Sequence, residues 1–103
     1  MDNEEITISL LRYAELVKDN FNPSRIIVFG SWVRGNWNED SDIDVAVLVP
    51  EIQGDFLHNE SLLYRLRRHI DDRIEPILLE ETNDVSGFIA EISSYGKVIY
   101  ARE

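Results

Sequence analysis

The sequence predicts a small α/β domain in which helices and short strands alternate, and three observations carry that prediction. Apolar residues recur at helical spacing near the start of the chain. Two continuously apolar, β-branched runs follow, one on each side of a polar loop. The remaining half alternates again between helix-like and strand-like segments.

Taken in order, Ile6, Leu10, Tyr13, Ala14, Val17 and Phe21 define the apolar stripe of an amphipathic helix, with Asp2 or Asn3 as its N-cap and Asn22-Pro23 as its stop. Ile26 to Phe29 is too short for a helix and apolar throughout, the pattern of a central strand covered on both faces. Ser31 to Gly35 makes a short helical turn. The small polar residues from Gly35 to Ser41 then form a loop, and Ile43 to Val49 is the second strand, closed by Pro50. Gly54 and Asp55 open a longer helix with Phe56, Leu62, Leu63, Leu66 and Ile70 as its apolar stripe. Arg73 to Glu80 reads as a third strand, in which Pro76 removes a ladder donor and points to an edge position or a bulge. A helix from Asp84 to Ser93, the stop Tyr95-Gly96 and a strand from Lys97 to Ala101 complete the pattern.

Length and composition narrow the function. The 103 residues have room for a single domain, residues 1–103, able to bury roughly two-thirds of its unfolded surface. Twenty acidic against ten basic side chains leave a net charge of −10, which opposes binding to a long nucleic acid and suits a basic protein partner. No apolar run reaches the roughly 20 residues of a membrane span, and the acidic start is unlike a signal peptide. Without cysteine there are neither disulfides nor thiolate metal sites, in keeping with a cytoplasmic setting.

The chemistry-bearing residues lie between the two apolar runs. Gly30 and Ser31 end the first run where a helix begins, so their backbone N–H groups and the Ser31 hydroxyl can face a phosphate. Asp42 and Asp44 open the second run. Two apart on a strand, they share a face roughly 7 Å apart at Cα and can converge on one divalent cation. A phosphate cradle beside a cation site suggests nucleotide chemistry.

Gly30-Ser31, ten intervening residues, then Asp42 and Asp44 resembles the signature of the polymerase-beta-like nucleotidyltransferases. With Arg34-Gly35, Ser41 and the ending Phe88-Ile89-Ala90-Glu91-Ile92 through Gly96-Lys97-Val98-Ile99-Tyr100, the chain is similar to the minimal nucleotidyltransferases over nearly its whole length. The resemblance implies the polymerase-beta-like fold, a small mixed sheet with flanking helices. It implies Mg²⁺ on Asp42 and Asp44, ATP as substrate, and phosphate contacts from Gly30 and Ser31. Glu75 becomes the third carboxylate, ligating the metal and taking the acceptor's proton, although the family more often has Asp there. It further implies AMP transfer to a hydroxyl on a partner protein, as in antitoxins paired with basic, helical HEPN-type toxins. A non-catalytic module that binds nucleotide and masks a basic partner is the alternative. A small-molecule transferase ranks last, because the antibiotic-modifying relatives carry an additional helical domain.

Each residue also has a plainer role open to it. Gly30 can serve only a tight turn and Ser31 only an N-cap. Asp42 and Asp44 can be solvated charges at a strand start, although an unpaired carboxylate inside an apolar run is costly. Arg34 can reach a phosphate or pair with Glu39 or Asp40. Trp32 and Trp37 suit packing better than base stacking. Arg65, Arg67, Arg68 and His69 read as a solvated helix face rather than a docking patch.

Overall fold

The computed structural model describes residues 3–102. Its elements run α1 (Asn3–Asn20), β1 (Arg25–Phe29), α2 (Ser31–Arg34), β2 (Ile43–Val49), α3 (Phe56–Arg67), β3 (Ile74–Glu80), α4 (Phe88–Tyr95) and β4 (Lys97–Ala101). The N-cap expected at Asp2 or at the Asn3 side chain lies outside the described residues.

The strands form one sheet in the order β3-β2-β1-β4. β1 is antiparallel to both β2 and β4, whereas β2 and β3 are parallel. The sheet is therefore mixed, as expected, with α3 in the crossover that a parallel pair requires. Pro76 sits in β3, the edge strand, in unbroken register from Ile43↔Ile74 to Val49↔Glu80. A missing N–H is harmless where that side of the strand has no neighbour, so of the two expectations for Pro76 the edge holds and the bulge does not.

Both sheet faces are covered, which explains why the strands are apolar without alternation. On one face Ile26, Val28, Ile43, Val45, Val47 and Ile74 pack with Ile6, Leu10, Tyr13 and Val17 of α1 and Leu63 of α3. On the other, Ile27, Ala46 and Leu48 pack with Ile89 and Ile92 of α4. With only eight residues, α4 is about 12 Å long and shields only part of its face. Among the described residues no helix is long and apolar enough to cross a membrane.

Two elements differ from the sequence pattern. The last helix begins at Phe88, not Asp84: the Asp84 carboxylate instead accepts from the N–H groups of Ile89 (2.8 Å) and Ala90 (2.9 Å) across an intervening turn. Satisfying orphan donors of the first turn makes Asp84 a cap reaching from outside the helix. In α3, Asp55 caps the Leu57 N–H, but the helix ends at Arg67, before Ile70 of the expected stripe, Phe56 is 41% exposed, and Leu63 is the helix's buried residue. Phe56 lies two turns before Leu63, past the part of the helix that meets α1 and the sheet.

One buried polar contact joins these layers. Tyr13 of α1 donates its hydroxyl to the Leu63 carbonyl at 2.8 Å, and burial pushes the phenol's pKa upward. Tyr13→Phe keeps the ring and removes this bond. It should lower stability by about 1 kcal/mol, the ordinary net value of such a bond, as measured by urea unfolding; an unchanged midpoint would show that the bond contributes nothing.

Candidate functional site

The site is built where β1 ends and β2 begins. Antiparallel pairing sets Phe29 opposite Asp44, and the parallel register sets Asp44 opposite Glu75. Strand alternation places Asp44 on the same face as Ala46 and Leu48, the face that α4 covers only in part. Asp42 precedes β2 by one residue and is exposed, while Asp44 is half-buried. Strand register sets Asp44 beside Glu75, with Asp42 one residue before β2.

Gly30 makes the turn after β1 possible. Its backbone angles, φ 79° and ψ −155°, belong to a region that side chains with a Cβ avoid. A methyl group there would collide with the Asp44 carboxylate, its Cβ lying 3.1 Å from Asp44 Cγ. The chain therefore needs glycine twice over, for the backbone angles and for the close approach to an acid. Gly35 ends α2 in the left-handed conformation, its N–H bonded to the Ser31 carbonyl at 3.0 Å.

Electrostatically the three acids form a negative patch. The Asp44 carboxyl is raised above the usual range, first by burial and then by the charges of Asp42 and Glu75. Glu75, with 42% of its side chain exposed, is held from α3: Tyr64 donates its hydroxyl to Oε1 at 2.7 Å, and an Arg67 guanidinium nitrogen lies 3.7 Å from Oε2. That hydrogen bond drives the Tyr64 phenol up to about 12. Arg67 in turn donates to the Asp72 and Ile74 carbonyls, both at 2.8 Å, so it anchors the start of β3. Among the described residues no three acidic, imidazole or thiolate groups already stand as an ion-holding set.

Other residues take structural parts. The Gly30 N–H, expected to face a phosphate, donates to the Tyr95 hydroxyl at 3.0 Å. Arg34 pairs with neither Glu39 nor Asp40; its guanidinium stacks 3.9 Å from the centre of the Tyr95 ring. Trp32 and Trp37 pack against the main core, and the Trp37 indole N–H donates to the Ser41 carbonyl at 3.1 Å. Sequence reasoning missed Tyr64, Arg67 and Tyr95. For the first two, the only signal was their i, i+3 spacing on the helix before β3; for Tyr95 there was none beyond its place at a stop signal. A cleft of about 440 Å³ lined by Asn22, Val49, Ile52 and Leu78 lies at the opposite end of β2 from this patch.

The acid patch thus joins Asp44 at the start of β2, Asp42 just before it and Glu75 in register on β3, with the Gly30 turn lying against Asp44. Residues 12–103 match the family described as Polymerase beta, Nucleotidyltransferase. A Methanocaldococcus jannaschii protein named "Putative protein adenylyltransferase MJ0141" is 34% identical over 84 residues, covering 79% of this chain and 81% of that protein. The chain belongs to the polymerase beta nucleotidyltransferase family and is, by that membership, a nucleotidyltransferase. Among solved structures, a toxin–antitoxin with AMP-PNP superposes with a TM-score of 0.68 at 23% identity, covering 96% of this chain and 74% of that one. An MNT antitoxin complex with a tri-AMPylated Shewanella oneidensis HEPN toxin gives 0.58 at 20% identity, covering 91% and 73%. At these identities the two structures establish the shared fold.

Asp44 gives this site a pH signature. An acid whose native pKa is raised binds its proton more tightly folded than unfolded, so its contribution to stability is present at low pH and lost as pH rises through the raised value. In chelator-treated protein, Asp44→Asn should therefore melt above the wild type at pH 7, and the gain should shrink towards pH 4. An equal difference at both pH values would contradict the repulsion derived from Asp42 and Glu75.

Proposed function

We propose that this chain transfers AMP from ATP to a hydroxyl group on a partner protein, and that the partner is a basic, helical HEPN-type toxin for which the chain is the antitoxin. The observation that carries the chemistry is the register of Asp44 against Glu75, with the Asp42 charge acting on Asp44 and Gly30 closed over it. The partner class rests on the relatives: one is named a protein adenylyltransferase, and one neighbour's toxin bears AMP. A net charge of −10 favours encounter with a basic surface.

The donor set fits Mg²⁺. All three side chains offer hard carboxylate oxygens, and Asp44 carries unrelieved repulsion that a divalent cation would offset. When bound, the ion neutralises charge on the triphosphate and on the departing pyrophosphate. Asp42 and Asp44 would hold it, with Glu75 as third ligand. Ser31 at the turn and Arg34 beside it contact the phosphates. The acceptor oxygen bonds to the α-phosphorus as the bond from that phosphorus to the β-bridging oxygen breaks. Pyrophosphate leaves with the electron pair, and the hydroxyl proton passes to Glu75. Tyr64 and Arg67 orient the Glu75 carboxylate for that role.

Glu75→Gln retains an oxygen to accept from Tyr64 and removes the basic carboxylate. Transfer should fall about a hundredfold or more, the scale of positioned general-base catalysis, while ATP with Mg²⁺ still raises the melting temperature. Full activity would remove Glu75 from the reaction.

The same contacts that orient Glu75 also occupy it, and this favours a second reading in which the domain binds nucleotide and masks its partner without transfer. Mass spectrometry of the co-expressed pair decides between them. AMP on a partner side chain with the wild type, and none with Asp42→Asn/Asp44→Asn, supports transfer. A tight pair with no added mass in either supports masking, and labelled ATP marking only small molecules would defeat both.

A further inference from the structure

Tyr95 and Arg34 form an arrangement that the three acids do not explain. Tyr95 is the last residue of α4 and reaches the turn after β1, where its hydroxyl oxygen accepts the Gly30 N–H at 3.0 Å. Gly30 in turn lies against the Asp44 carboxylate, so a single glycine separates the phenol from the acid patch. Among the described residues nothing accepts the phenol's own hydrogen, and a hydroxyl that already accepts a bond is the stronger donor for it.

Arg34 is exposed and sits face-on to the same ring at 3.9 Å. The chain carries twenty acidic side chains, yet Arg34 makes no ion pair among the described residues. Stacking holds the guanidinium plane while leaving its N–H groups free for an anion, which arginine grips bidentately when that anion is a phosphate. A fixed hydroxyl donor and a fixed, unneutralised guanidinium, one ring apart beside the acid patch, are what a polyphosphate tail would need at the end remote from the cation.

We propose that the Tyr95 hydroxyl and the Arg34 guanidinium together bind the outer phosphates of the nucleoside triphosphate, making Tyr95 a phosphate-binding residue of this site. The proposal rests on the nucleotide reading above and adds to it a residue from α4, far from the Gly30-Ser31 and Asp42–Asp44 segment. It also gives the phenol two concurrent tasks, since the oxygen that donates to phosphate is the one that fixes the Gly30 turn.

Isothermal titration of the full chain with ATP and with AMP, at constant Mg²⁺, tests it. Tyr95→Phe keeps the ring under Arg34 and should weaken ATP binding about tenfold, the scale of one hydrogen bond to a charged group. AMP, which lacks the outer phosphates, should change less than twofold. Arg34→Gln should show the same dependence on phosphate number, and should Tyr95→Phe prove too unstable to assay, the wild-type Tyr95 ring resonance decides: a shift with ATP and not with AMP supports the proposal, and a resonance that ATP leaves unmoved overturns it. Equal weakening of ATP and AMP would mean a merely structural contact and would overturn the proposal. So would ATP binding unchanged within twofold, or tightened by Tyr95→Phe as if the phenol competed for the Gly30 N–H. Wild-type binding that Asp42→Asn/Asp44→Asn abolishes but Tyr95→Phe spares removes Tyr95 and leaves the nucleotide reading intact; no ATP binding by the wild type removes both.

Discussion

The close passage of Gly30 over the Asp44 carboxylate is the constraint on which the site depends. Where β1 and β2 pair antiparallel, Phe29 stands opposite Asp44, and the chain must leave β1 directly above an acid. Only a residue without Cβ can do so at φ 79°. The turn starts α2, whose Arg34 stacks on the Tyr95 ring, and it presents the Gly30 N–H to the Tyr95 hydroxyl. Any larger residue would have to lift the turn, and with it α2, away from β2.

Packing sets how far the acids are exposed. Strands β1 and β2 bury one set of alternating residues under α1 and α3 and the other under α4. The first cover is extensive. The second is short, protecting Ile27, Ala46 and Leu48 and leaving the end of the face that bears Asp44 less covered. A longer α4 would bury the carboxylates and raise the cost of ionising them further. Gly96 completes the arrangement: a Cβ there would lie 2.6 Å from Ile27 Cγ2 and 3.0 Å from the Val28 carbonyl, so β4 can lie flush on β1 only because that position is glycine.

The site also stores electrostatic cost. Asp44 is pushed towards protonation by burial and by two like charges, and nothing among the described residues neutralises it. A folded chain spends stability only where something else compensates, and in a nucleotidyltransferase a bound cation with a nucleotide is such a compensation. Glu75 is treated differently, being held by a phenol and approached by a guanidinium from α3.

Much of this was legible in the sequence because it is local. Strands β2 and β4 fall at the residues their apolar runs mark, since a run closed by Pro50 or opened after Gly96 has few other ways to fold. Asp44 lies on the face of Ala46 and Leu48 because strand periodicity is two, which needs no knowledge of the rest of the chain. Pro76, with its missing donor, pointed to an edge position or a bulge, and the strand order decided for the edge. What only the tertiary structure decided is non-local. The register that sets Glu75 opposite Asp44 depends on how the crossover through α3 closes, and no spacing in the sequence encodes it. The start of α4 moved from Asp84 to Phe88 because a carboxylate outside the helix can satisfy its first N–H groups across a turn. Tyr95 meets Gly30 across 65 residues of chain, a contact that exists only once α4 has packed on β1, and propensity and periodicity describe neighbours in sequence rather than neighbours in space.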